Sequence, residues 1–193
     1  MAANGRVLTG FSMPYVGIYS AEEGTSYSDV QVLARGVSVS VELNDTDDTV
    51  FYADNVEAER IRSNIQSGTV TLTVDGLFPT AEALILGLPT AGSDGVYHYG
   101  DNMDIPYVGI GYIERYLSDG VTTYQAVLLN KCKFSVPAEN ASTQTETVDF
   151  QTQELIATFS RSDNENHDWK MRSKVCATEA LAITELMTMM GDE

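Results

Sequence analysis

The chain has 193 residues, 43% of them hydrophobic, enough to build a buried core in one domain and too many for a wholly disordered chain. Its 28 acidic residues against 11 basic ones leave a formal net charge of −17. That balance excludes a protein that holds nucleic acid by neutralising phosphates with clustered Lys and Arg.

Cys132 and Cys176 form no CxxC pair, and we read them as two buried thiols in a reducing compartment rather than as a disulfide. His98 and His167 are too scattered for a zinc site. The N-terminal stretch MAANGRVLTGFSMPYVG lacks an apolar h-region, so no secretory signal is expected. The longest compact apolar run, Ala83-Leu84-Ile85-Leu86, is too short to cross a bilayer. These features point to a protein made and kept in a cytoplasm-like space.

The pentapeptide Pro14-Tyr15-Val16-Gly17-Ile18 recurs as Pro106-Tyr107-Val108-Gly109-Ile110. In both copies proline is read as preceding a strand, where its missing N–H costs least. Val and Ile then face one side, Tyr and Gly the other. Gly36 to Leu43 alternates cleanly, with Val37, Val39, Val41 and Leu43 opposed to Ser38, Ser40 and Glu42. The acidic segment 44–67 lacks the regular oxygens and turn glycine of a calcium loop and reads as a solvated connection. Gly68 to Asp75 alternates again, with Thr69, Thr71, Thr73 and Asp75 on the polar side. Thr80 is the expected cap of a short helix, 81–86, which Gly87 and Pro89 close.

His98, Asp101 and Asp104 surround Gly100 ahead of Pro106 and read as turn chemistry, not as an acid–base group. Gly109-Ile110-Gly111 resembles a phosphate loop only superficially. A dinucleotide fingerprint needs a third glycine at 114, which is Glu, followed by a helix. The run instead continues as a strand, 107–117, into the turn Ser118-Asp119-Gly120 and a second strand, 122–136, a strong hairpin pattern. A polar strand, 142–151, and an apolar one, 155–159, are expected next. Trp169 reads as a core or rim residue. Thr178 to Met190 has helical spacing of Ala180, Leu181, Ile183, Leu186, Met187 and Met190, with Gly191 as the stop. Glu82-Ala83-Leu84 and Glu179-Ala180-Leu181 extend the internal similarity, suggesting two related halves, about 13–88 and 105–190. No catalytic constellation, cofactor motif or metal site emerges, so the chain is not expected to be an enzyme.

In order along the chain, FYADN (51–55), GTVTLTVDGL (68–77), AEALILGL (81–88), IPYVGIGYIER (105–115), KCKFSVPAENASTQTETVDFQTQELIATF (131–159) and NHDWK (166–170) resemble the major tail protein of long, non-contractile-tailed bacteriophages of Gram-positive hosts, the tail tube subunit. The resemblance runs from about Met13 to the C-terminal helix and is most specific over Ile105–Phe159. It implies a mainly β fold: a tail-tube-type β-sandwich or barrel domain over 1–193 with a flanking helix and a short second helix. It also implies hexameric rings stacked around a tape measure protein, contacts to tail tip and tail terminator proteins, and a lumen through which DNA passes without specific binding. The expected location is the virion tail, with the host cytoplasm during assembly and no membrane. Some relatives append an immunoglobulin-like C-terminal domain, which is not expected here.

Within this reading Ser38, Ser40, Glu42, Thr69, Thr71, Thr73 and Asp75 line the lumen. The acidic segment, through Asp45, Asp47, Asp48, Arg60 and Arg62, contacts the adjacent ring. An inner-tube subunit of a contractile tail or injection device is the nearest alternative. A β-sandwich carbohydrate-binding module is a distant one.

Overall fold

The computed structural model describes residues 5–21, 26–44, 49–61, 67–89, 95–139, 141–143 and 150–191. In chain order the elements are β1 (Val7–Ser20), β2 (Ser26–Val32), β3 (Gly36–Leu43), β4 (Thr49–Ala53), β5 (Val56–Ile61), β6 (Ser67–Val74), α1 (Pro79–Leu86), β7 (Val108–Ser118), β8 (Val121–Phe134), β9 (Gln153–Ser160), β10 (Lys170–Arg172) and α2 (Glu179–Met190). The protein is mainly β, built on one antiparallel sheet in the order β2-β1-β7-β8-β9-β6-β3, with β10 added to β8. Among the described residues β4 and β5 pair only with each other.

The sheet cannot be flat. Leu33 to Arg35 are all that separates β2 from β3, yet these strands stand at opposite ends of the strand order. Laid flat, seven strands would hold them about 29 Å apart. The four Cα–Cα steps from Val32 to Gly36 reach at most about 15 Å. The sheet therefore rolls until its ends approach. The Phe11 ring of β1 lies 2.3 Å from where a Cβ on Gly36 would stand. Rolling encloses the main core: Val70, Leu72 and Val74 of β6, Leu155, Ala157 and Phe159 of β9, and Val16, Val108 and Ile110 of β1 and β7.

The two PYVGI copies lie side by side. Val16 pairs with Ile110, Gly17 with Gly109 and Ile18 with Val108, so the pentapeptides meet antiparallel about a glycine–glycine pair. Val16, Val108 and Ile110 enter the enclosed core. On the opposite face, Tyr27 and α2 occupy the space that missing side chains leave. A Cβ on Gly109 would fall 2.2 Å from the Tyr27 ring, and one on Gly111 would fall 2.6 Å from Leu186. The Tyr27 hydroxyl donates to the Asn130 carbonyl at 2.8 Å, which fixes the ring over the glycines. Close backbone approach, not phosphate binding, explains these glycines. Pro14 departs from the expectation. It sits inside β1, where the register against β7 slips between Ser12 and Tyr15 and Met13 adopts φ 50°, so a bulge absorbs its missing donor.

The hairpin at 118–121 forms as expected. Asp119 and Gly120 both take positive φ, 49° and 79°, and Ser118 pairs with Val121, a two-residue turn of the type whose twist suits its strands. The segment read as a solvated connection contains a second such hairpin. Asp54 and Asn55, at φ 51° and 64°, turn β4 into β5. The short alternations on either side of Asp-Asn carry enough β character to pair locally. For the polar strand expected at 142–151, residues 142–143 and 150–151 are not strand, and 144–149 lie outside the described residues.

In α1, Pro79 rather than Thr80 marks the start. Proline at the first position loses no hydrogen bond, and Phe78 stands at the cap without a side-chain bond. Gly87 ends α1 at φ 61°, and a Cβ there would fall 1.9 Å from the Asp104 carbonyl oxygen. In α2 the Thr178 hydroxyl accepts from the Leu181 N–H. The buried stripe is Ala182, Leu186 and Met190, with Ile183 and Met187 beside it, whereas Ala180 and Leu181 are exposed. An i, i+4, i+8 row fits the glycine-lined track across β1 and β7, and that shifts the stripe. Among the described residues no helix is long and apolar enough to cross a membrane.

Replacing Gly109 by Ala should cost about 1–3 kcal/mol through overpacking against Tyr27. Gly100→Ala, with nothing within 4 Å of its Cβ position, should stay within about 0.5 kcal/mol of the parent. Urea denaturation of the two variants checks both.

Candidate functional site

Outside the rolled core, β3, β6 and β9 carry a continuous polar face. Strand register fixes its rows: Ser38–Thr73–Glu154, Ser40–Thr71–Ile156, and Glu42–Thr69–Thr158. The register between β9 and β8 adds Lys133 beside Thr158 and Lys131 beside Ser160. Ser38 donates to the Thr73 hydroxyl at 3.0 Å. The next row pairs Asn44 with Ser67, backbone N–H to carbonyl at 3.1 Å. Alternate residues of β6 and β9, from Val70 to Val74 and from Leu155 to Phe159, are buried. Period-two alternation thus divides each strand between core and polar face.

All seven residues expected along the lumen map to this surface or its rim. Ser38, Glu42 and Asp75 are exposed, and Thr69, Thr71 and Thr73 are half-buried. Ser40 stands in the middle row, opposite Thr71. Asp75 stands just beyond β6 and binds Arg35, Nε to Oδ2 at 2.6 Å. The contribution of β9 was missed because Leu155 to Phe159 reads as apolar. Glu154, Ile156 and Thr158 occupy its alternate, outward positions, and that alternation was the available signal. The face is lined by hydroxyls rather than acids. Glu42 and Glu154 stand near opposite ends, Lys133 lies beside Thr158, and Ile156 (41% exposed) is its apolar centre. The acidic excess of the sequence is not concentrated here among the described residues.

The two ends of the face differ. At the β6–β9 end, Asp75, Glu82, Glu139 and Glu154 border an open groove of about 750 Å³ floored partly by Val136, Pro137, Ala138 and Ile156. At the other end, Lys131 and Lys133 lie over the Tyr107 ring, 5.0 and 5.4 Å from its centroid. Lys131 also pairs with Asp163 at 2.6 Å, and the Tyr19 hydroxyl donates to the same carboxylate at 2.8 Å. Lys131 first, then Tyr19, hold the Asp163 carboxyl below the usual carboxylate range. Exposed Arg161 follows β9 at this end.

No protein-family model matches the chain, and no curated protein matches it.

Of the residues expected to contact a neighbouring ring, Asp45, Asp47, Asp48 and Arg62 lie outside the described residues. Arg60 is placed by its backbone alone, opposite Val50 in the β4–β5 hairpin. His98, Asp101 and Asp104 are exposed on the segment before β7, where Met103 N–H closes a turn on the Gly100 carbonyl. Trp169 stacks on Phe159 with ring centroids 5.1 Å apart, so it closes the core. Glu114 is the one buried carboxylate among the described residues. It accepts from the Tyr116 hydroxyl at 2.5 Å and lies 3.2 Å from Arg172, a satisfied ion pair between β7 and β10. Burial pushes the Cys132 thiol up, away from reactivity. No group of three or more His, Cys, Asp or Glu suited to a metal ion occurs among the described residues.

Ser40→Ala on the face should change stability by less than about 0.5 kcal/mol. Leu72→Ala, one position along β6 from the partner of Ser40, should cost about 2–5 kcal/mol. Equal losses in thermal or urea unfolding would contradict the division into polar face and core.

Proposed function

We propose that the protein is a self-assembling structural subunit, the tail tube protein of a long-tailed bacteriophage. In this reading hexameric rings stack into a tube around the tape measure protein, between tail tip and tail terminator, and DNA leaves through the lumen. The virion tail is its place, reached from the host cytoplasm during assembly. The observation that carries the reading is a rolled sheet with a hydroxyl face that no described helix covers and two edge strands bearing exposed apolar residues. Val32 on β2 and Val37 and Leu43 on β3 are 45%, 57% and 44% exposed, and neither strand has a ladder partner on its outer side among the described residues. Such edges invite another copy of the chain to add laterally. Repeating that addition around a ring would turn the polar faces into one continuous inner wall.

A hydroxyl wall suits a conduit. Ser and Thr carry no positive charge to neutralise phosphates, so DNA gains no counterion-release binding and slides. The acidic remainder of the chain adds long-range repulsion. The β4–β5 hairpin, a two-stranded sheet too small to be stable by itself, would find its partner on the adjacent ring. The same observations suit the inner tube of a contractile tail or injection device, which a sheath protein in the same particle would identify.

Negative-stain electron microscopy of the purified protein tests the proposal, with rings or hollow tubes expected. A Ser40→Cys variant should react with a bulky maleimide as a monomer and be protected in tubes, because position 40 then faces the lumen. A monomer at every concentration, or full labelling of assembled tubes, would count against it.

A further inference from the structure

On its β8–β9 side the polar face is electrically asymmetric along its strands, while exposed Glu42 of β3 shares the row of Lys133 with two strands between them. At one end Glu139 and Glu154 are exposed, and they border the groove that Asp75 and Glu82 complete. Only Asp75 of these four is ion-paired with a described cation, Arg35. At the opposite end stand Lys133 and Arg161, both exposed and neither ion-paired with a described residue, whereas Lys131 beside them is matched by Asp163. From Glu154 to Arg161 along β9 is about 23 Å at the usual strand rise. Two exposed cations stand out in a chain with 28 acidic and only 11 basic residues.

Complementary patches at opposite ends of one subunit cannot satisfy each other within it. Nor can they do so in a two-fold dimer where each patch meets its own copy. They match head to tail, a contact that leaves one patch open at each end and so repeats without closing. Two cations are too few to hold a nucleic acid strand against a net charge of −17. A second copy of this chain presents the acidic groove that fits them.

We propose that copies stack along the strand axis of the polar face, with Lys133 and Arg161 of one copy seated against Glu139 and Glu154 in the groove of the next. This rests on the self-assembly reading and adds its polarity and contact residues. The groove gives the contact shape as well as charge: Val136, Pro137, Ala138 and Ile156 form an apolar floor for the aliphatic stems of Lys and Arg, and the carboxylates meet the charged heads. Stacking of this kind weakens as salt rises, since the pairs sit at a solvated rim.

Charge reversal tests the contact. Lys133→Glu, Glu154→Lys and the double variant carrying both changes would be compared with the parent by sedimentation and negative-stain microscopy, with thermal melts confirming that each is folded. Either single change should abolish sedimentable tubes, leaving single rings or monomers. The double variant should restore tubes, because the carboxylate introduced at position 133 meets the ammonium introduced at position 154 of the next copy. Folded single variants that polymerise like the parent, or a folded double variant that does not, would overturn the contact while leaving self-assembly standing. A parent protein that never forms rings or tubes would remove the self-assembly reading and this contact with it.

Discussion

The three-residue link from Val32 to Gly36 constrains the rest of the fold. It joins strands that the pairing order places at opposite ends of the sheet, and so it makes the sheet roll. Rolling gives each strand an inside and an outside. The inside collects the valines, leucines and phenylalanines of β6 and β9 with those of β1 and β7, and α1 packs into the same core. The outside divides into a part that α2 covers and a part that it does not.

How α2 comes to cover one part follows from the paired pentapeptides. Gly17 and Gly109 face each other across two antiparallel strands, with Gly111 close by. Without side chains there, the backbone surface is a shallow track, and Tyr27, Leu186 and Met190 fill it. A repeated sequence thus becomes a docking surface through strand pairing. Ordinary side chains at these positions would hold the helix away and open the second core, where Ile113, Ala126 and Leu128 are now buried.

The uncovered part is where function is read. Its rows of Ser and Thr are held in register by the same ladders that bury their neighbours, so the chemistry of the face depends on the core behind it. Its charges are confined to its ends and rim. A hydroxyl face with charges at its ends differs from the uniformly acidic surface suggested by net charge alone. In the proposed tube the hydroxyls would offer phosphate no counter-charge, and the charged ends would meet another subunit.

Period-two alternation made β3 and β6 legible with all seven face residues, and Asp119-Gly120 made the β7–β8 hairpin legible, because these patterns act between near neighbours in the chain. Thr178 and Gly191 likewise bounded α2 through local backbone bonds. Local pattern did not reveal that the pentapeptides pair with each other, that Pro14 lies in a bulge, or that Ala182 leads the buried stripe of α2. Each depends on a surface assembled from distant segments. The outward residues of β9 were obscured by an apolar stretch whose two sides are told apart only by what packs behind them. Sequence by itself therefore determined a β-rich chain, its alternating strands and its acidity, which follow from residue type and short-range spacing. Only the tertiary structure decided which polar residues share a face, that this face is hydroxylic rather than acidic, and that its β8–β9 side carries opposite charge at its two ends. Strand order and register set those neighbourhoods, and both are fixed by contacts far apart in sequence.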